Sequence, residues 1–139
     1  MTDIVNKATR SRMMAAIKGS NTKPELDVRR YLHATGLRFR VNDRRLPGSP
    51  DLVFPALRVA IFVHGCFWHR HPGCVKAAMP STNIAFWDTK FAVNVSRDRK
   101  HEEELTAKGW RVMTIWECEA TDPLHVDQLF WQIVATSPG

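Results

Sequence analysis

The sequence contains no run of about 18 apolar residues, so no helix is expected to cross a membrane. Its first stretch, MTDIVNKATRSRMM, lacks the apolar core of about 7–15 residues that a signal peptide requires, and a cytoplasmic protein is expected. Cysteine is scarce: three residues, an odd count that suits no disulfide framework and that a reducing compartment would keep as thiols. Internal repeats, low-complexity tracts and Pro/Gly/Ser-rich linkers are missing too. With 139 residues, enough for one core and few for two, a single domain over 1–139 is expected. Acidic residues are also in deficit, 14 against 20 Lys and Arg, which leaves a net charge of +6. The basic residues cluster at 7–18, 29–45 and 97–100, a distribution that favours polyanions, above all nucleic acid. On charge alone, a merely positive solvated surface would look the same. A 44% hydrophobic content excludes a disordered chain.

What is present reads as alternating elements. TRSRMMAAIK (9–18) predicts a short helix with Met13, Met14 and Ile17 on one side and Gly19 beyond its end. In TKPE (22–25), a Thr three residues before a Glu reads as a capping box, with Pro24 in the first turn. Leu26, Val28, Tyr31 and Leu32 supply that helix with an apolar face, and Gly36 marks its stop. LRFRV (37–41), PDLVF (50–54) and RVAIFVH (58–64) predict three strands, the last of the fully buried type, with Pro55-Ala56-Leu57 short enough for a hairpin. A long helix over 82–108 should end at Gly109. WRVMTIW (110–116) predicts another buried strand, and Asp122-Pro123 opens a terminal helix. Helix, meander, helix, strand, helix implies an α/β fold with helices around a mixed sheet.

The densest stretch is HGCFWHRHPGC (64–74). Cys66, His71 and Cys74 are spaced C-x4-H-x2-C, and Cys118 directly follows the strand that ends at Trp116. Three thiolates and one imidazole form a common closed set for structural Zn²⁺, and this set uses every cysteine of the chain. Three unrelated thiols beside a solvated His71 are the plain alternative. On the acidic side, Asp51 in LPGSPD sits at the mouth of a predicted strand, where a carboxylate suits Mg²⁺, although Pro-Asp is also ordinary turn chemistry. His64 and His69 add value to it, since either could activate water or protonate a leaving oxygen. Phe67 and Trp68 lie between the first two sulfur and nitrogen donors, and Phe86-Trp87 opens the long helix. Exposed rings in a basic protein suit stacking on bases or wedging into a duplex, whereas a small satellite core around the metal would use the same residues.

KATRSRMMAAIK, LPGSPDLVF, FVHGCFWHRHPGC, FWDTKFAVNVSRDR and GWRVMTIWEC together resemble the very-short-patch-repair (Vsr) mismatch endonucleases, in order from about residue 7 to residue 118. The resemblance implies a restriction-endonuclease-like fold with a structural zinc site. It implies nicking of DNA 5′ to the thymine of a T·G mismatch, the product of 5-methylcytosine deamination. Carried over by motif, Asp51 would ligand Mg²⁺ with the backbone carbonyl of Val63, His69 would act on the attacking water, and His64 would sit by the scissile phosphate. Asp98 would orient a histidine, and Glu25, besides any capping role, would contact the hydrated metal. Phe67, Trp68 and Trp87 would wedge beside the mismatch, with Met14 approaching from the other groove and residues 1–20 contacting DNA. Lys90 and Arg97 would meet phosphates, and Cys66, His71, Cys74 and Cys118 would hold Zn²⁺. A bacterial, nucleoid-associated cytoplasmic monomer is expected, with mismatched duplex as partner and mismatch-repair proteins as further candidates.

This chain departs from related nucleases in three places. They usually follow their aspartate with an acidic-x-Lys pair on the next strand; here that strand is apolar up to His64, so a histidine-based mechanism is needed. Val63 stands where a threonine is usual in the family, and Pro72-Gly73 lengthens the metal loop by one residue. Two other readings fit the same residues: a zinc-stapled DNA-binding module without nuclease activity, and a nicking enzyme with a different sequence or lesion preference.

Overall fold

The computed structural model describes residues 22–135. In chain order the elements are α1 (Lys23–Ala34), β1 (Arg40–Val41), β2 (Leu52–Phe54), β3 (Val59–His64), α2 (Ile84–Ala107), β4 (Arg111–Trp116), α3 (Glu117–Ala120) and α4 (Pro123–Val134), with single 3-10 turns at Pro55–Leu57 and Val75–Ala77. The four strands form one mixed sheet in the order β1-β2-β3-β4. β2 and β3 pair antiparallel, with Leu52 opposite Ile61, and β3 pairs parallel with β4, with His64 opposite Trp116. The parallel connection needs a crossover, which the long α2 supplies.

Side chains alternate across a strand, and that period sorts the core. Val59 and Ile61 face one side with Leu52 and Phe54, where they meet Val28 and Leu32 of α1 and Val126, Leu129 and Ile133 of α4. Ala60 and Phe62 face the other side and meet Leu105 of α2. By the same parity His64 continues the α2 side, as does Trp116 after Val112 on β4. The β3 run VAIFVH is apolar almost throughout because it is covered on both faces.

Local chemistry fixes the helix ends. Asp122 accepts from the Leu124 N–H at 3.0 Å, with Pro123 in the first turn of α4. Gly36, at φ +97°, takes the left-handed backbone that closes α1.

Several expectations need correction. The strand over 37–41 shrinks to Arg40–Val41, because a third pair would place Phe39 opposite Phe54, where the chain already turns into Pro55. Leu37 and Phe39 pack against the core instead of lengthening the ladder. β4 is half-buried rather than buried, Ile115 excepted, as suits an edge strand of the described sheet. The short α3 was not anticipated. The capping box does not form: the Thr22 hydroxyl bonds the Glu25 carboxylate at 3.3 Å and caps no backbone N–H. Glu25 is buried, turned towards the sheet and paired with Arg29 at 3.0 Å, so its oxygens are engaged away from the helix terminus. The helix expected at 9–18 lies outside the described residues. Among the described residues no helix is long and apolar enough to cross a membrane.

Candidate active site and metal centre

At the C-terminal end of β3 a cleft of about 1010 Å³ gathers residues from four elements and two loops. Glu25 comes from α1, Asp51 from the entry to β2, Val63 and His64 from β3, Phe67, Trp68 and His69 from the dense loop, and Lys90, Asn94, Arg97 and Asp98 from α2. Positions 90, 94, 97, 98 and 101 fall on one face of a helix, which is why a single element contributes so many.

Asp51 Oδ2 accepts the Val63 N–H at 2.6 Å. In an extended strand the carbonyl of a residue points to the same edge as its N–H, so the Val63 carbonyl is aimed to Asp51's side of the strand. Burial, helped by the charge of Glu25, pushes the Asp51 carboxyl up to about 7, against the Val63 hydrogen bond that favours ionisation. A carboxyl so disfavoured as an anion, beside a second carboxyl and the Val63 carbonyl, is a donor set suited to a hard divalent cation.

Next to it the imidazoles of His64 and His69 stack at 3.9 Å with planes 3° apart, and His69 Nδ1 lies 2.5 Å from Asp98 Oδ2. Burial would raise the Asp98 carboxyl, but the His69 hydrogen bond and charge more than offset it and hold the group below the usual carboxylate range. An ionised Asp98 accepts from Nδ1, and Nε2 is the His69 ring nitrogen that this carboxylate leaves unengaged. Burial, aided by His69, lowers His64 to about 4, so that ring is neutral at pH 7. Although the ring nitrogens and Asp98 cluster closely, parallel stacked rings direct their lone pairs side by side and not to one point. Stacked rings beside a carboxylate are an arrangement that suits proton transfer.

The second cluster comprises Cys66, His71, Cys74 and Cys118, whose donor atoms all lie within 4.8 Å of one another. Cys66 Sγ and Cys118 Sγ are 3.5 and 3.4 Å from His71 Nδ1. Bonds of about 2.0–2.3 Å in a tetrahedron place donors roughly 3.5–3.8 Å apart, so the set fits Zn²⁺ with little movement. The loop reaches this arrangement through its own backbone: His71 N–H bonds the Cys66 carbonyl and Cys74 N–H the His71 carbonyl, while Arg70 and Gly73 take left-handed φ of +57° and +72°. Without a cation, burial pushes the Cys66 thiol up to about 12 and Cys118 upward as well. The Lys76 N–H draws the more open Cys74 down.

Phe67 and Trp68 are half-buried. They pack edge-to-face on each other at 5.1 Å and both meet Trp87 at 5.8 Å, Phe67 edge-to-face and Trp68 tilted, over the buried Phe91. Apolar rings expelled from the main core lose less water contact by clustering, and Arg70 closes the group, its guanidinium 4.0 Å over Phe91 and bonded to the Phe67 and Ala77 carbonyls. Asn94 Nδ2 donates to the Trp68 carbonyl at 3.3 Å, and Arg97 in turn bonds Asn94. Trp68 and Phe67 still present their outer surfaces to the cleft. Phe86 is 60% exposed beside them.

Met14 lies outside the described residues. Sequence reasoning missed Arg29, Arg70, Trp116 and Glu117. Glu117 lines the cleft and accepts the Cys66 N–H at 2.9 Å, 51 residues away in sequence. Its position beside Cys118 was the one signal available.

Comparison with known proteins first defines a class, nucleases that nick DNA. The chain is 44% identical over 122 residues to the type II nicking enzyme V.XorIIP of Xanthomonas oryzae pv. oryzae, covering 88% of this chain and 89% of that one. It is 44% identical over 119 residues to the type II nicking enzyme V.NmeAIP of Neisseria meningitidis, covering 86% and 84%. Against the DNA mismatch endonuclease Vsr of Escherichia coli it is 46% identical over 118 residues, covering 85% and 75%. A family model described as DNA mismatch endonuclease Vsr matches residues 2–76, more than half of the chain. The chain belongs to the Vsr DNA mismatch endonuclease family.

Proposed function

We propose that this protein is a Mg²⁺-dependent, strand-specific DNA endonuclease with a restriction-endonuclease-like core. It nicks 5′ to the thymine of a T·G mismatch left by deamination of 5-methylcytosine and so initiates very short patch repair. The observation that carries the reading is Asp51 set beside a stacked His64–His69 pair, in one cleft with the Phe67–Trp68 rings. Asp51, the Val63 carbonyl and Glu25 would hold Mg²⁺, which when bound supplies positive charge to the scissile phosphate. His69, oriented by Asp98, takes the proton of the attacking water at Nε2. Neutral His64 stacks on it and faces the phosphate. Lys90 and Arg97 neutralise flanking phosphates. The partner is mismatched duplex, met by a monomer in the bacterial cytoplasm at the nucleoid, with mismatch-repair proteins as a further class of partner. Type II nicking enzymes among the relatives favour one second reading, the same chemistry with another flanking-sequence preference.

Incubating a duplex carrying one T·G pair tests this directly. One nick 5′ to the thymine is expected with Mg²⁺, none with EDTA and none on T·A. Equal nicking of T·A would overturn the mismatch preference, and tight binding without nicking would favour the DNA-binding module.

The rings make a separate prediction. A metal-fixed loop loses little entropy on binding, so Phe67, Trp68 and Trp87 can act as a preformed wedge. Trp68→Ala should cost about 1–3 kcal/mol of binding, the scale of one base–aromatic contact, mainly on mismatched duplex. Lys90 and Arg97 variants should weaken T·G and T·A duplexes alike and flatten the salt slope. Titrations of both duplexes at two salt concentrations separate the cases. If Trp68→Ala keeps a normal T·G preference, the ring group is a satellite core alone.

A further inference from the structure

The tripeptide Trp116-Glu117-Cys118 joins the two clusters, and the proposed chemistry uses only its last residue. The Trp116 indole stacks on the His71 imidazole at 4.4 Å with planes 12° apart. The same indole also meets the His64 ring, at 5.3 Å and 70°. Since His64 stacks on His69 and His69 bonds Asp98, one run of rings extends from the thiol cluster to the α2 carboxylate: His71, Trp116, His64, His69, Asp98.

The backbone gives Trp116 little freedom. It pairs with His64 in the parallel ladder, and its N–H is held by Glu119 Oε1 at 3.0 Å. Glu117 meanwhile fixes the Cys66 N–H from the adjoining position. The His64 imidazole, by contrast, makes no side-chain hydrogen bond among the described residues, so ring contacts are what orient it there.

We propose that Trp116 is a positioning residue for the nicking reaction: it transmits the rigidity of the thiol–imidazole cluster to His64, and through the stack to His69. This rests on the reading of His64 and His69 as the acid–base pair. It assigns the cluster a second task beyond holding the loop, because the same indole that covers His71 sets the plane of His64. A ring that can tilt leaves His69 without its backing face, and misplacement by about 1 Å can cost about 100-fold in rate.

The test compares Trp116→Met, which fills the space without a flat face, with Trp116→Phe, which keeps one. Retained zinc content and circular dichroism establish folding. In the Met variant, single-turnover nicking of the T·G duplex should fall about 10- to 100-fold, with duplex affinity within about twofold, and Phe should restore most of the rate. Nuclear Overhauser contacts between the His64 and His69 ring protons read the geometry without any activity. They should be lost in Met and kept in Phe. Their persistence in a folded Met variant overturns the proposal, whatever the enzyme's substrate. Full nicking by that variant overturns it as well, while a His69→Ala variant that nicks normally would instead remove the acid–base reading. Should the Met variant fail to fold, Trp116→Leu, which also lacks a flat face, takes its place: loss of the ring contacts in that folded variant is the supporting result and their persistence the overturning one.

Discussion

Replacing Asp51 with Asn is expected to abolish nicking of a T·G duplex while leaving binding within a few-fold of the parent. The substitution keeps an oxygen for the Val63 N–H, now 2.6 Å from Asp51 Oδ2, and removes the charge on which the proposed Mg²⁺ site depends. The same change should stabilise the protein. Burial raises the Asp51 carboxyl to about 7 in the folded chain, above the 3.8 of an unperturbed aspartate, so the folded state binds this proton more tightly than the unfolded one. Stability therefore falls as pH rises from about 4 to about 7 and stays lower beyond. Asn does not titrate. Without added divalent ion, Asp51→Asn should match the parent near pH 4 and exceed it at pH 8 by on the order of 2–4 kcal/mol. Mg²⁺ should raise the melting temperature of the parent and not of the variant, since an ion that binds only the folded state stabilises it by mass action. Denaturant melts at pH 4 and 8, with and without Mg²⁺, provide the check. A variant less stable at pH 8, or a parent indifferent to Mg²⁺, would remove Asp51 from the cation site.

What could be seen in the sequence followed from chemistry that is local. The apolar run of β3, Asp122-Pro123 before α4 and Gly109 after α2 each act within a turn or two, and the elements stand where those signals place them. C-x4-H-x2-C gathers three donors in one loop, and Cys118 could be added because it follows a strand that had to pair somewhere near. Residues that matter through distant partners were invisible. Trp116 gains its neighbours from the parallel register with β3, and Glu117 reaches Cys66 across 51 residues. Glu25 shows the opposite failing. Its spacing from Thr22 is that of a capping box, yet Arg29 and the Thr22 hydroxyl hold it buried at the cleft, so tertiary electrostatics prevailed over the local rule. β1 lost most of its expected length for a simpler reason: its partner strand ends at Phe54, before the turn that Pro55 opens.

Substituting Cys118 with Ala should release the metal from the thiol cluster and produce the largest loss of stability of any change considered. Cys118 lies on α3, directly after β4, whereas Cys66, His71 and Cys74 all belong to the loop that leaves β3, so its bond to a shared ion would tie the far strand to that loop. Closed zinc sites of this kind contribute folding free energy outright, about 10–16 kcal/mol of apparent binding free energy in small zinc peptides. Here β3 and β4 are already paired over six residues, so much of the fold survives without the ion. The expected cost is correspondingly several kcal/mol. The remaining two cysteines and His71 could still hold zinc weakly, with an open fourth position, and a mild chelator should then remove it from the variant but not from the parent. The loss should be local first: hydrogen exchange ought to rise over residues 64–78 and 116–120 before it rises in α4 or α1, because only the former depend on the cluster for their position. Zinc analysis of protein purified without chelator, expected at one ion per chain, together with exchange on parent and variant, decides the matter. If the parent carries no zinc, or Cys118→Ala keeps it against the chelator, then the three thiols and His71 are merely neighbours, and burial alone accounts for the cluster.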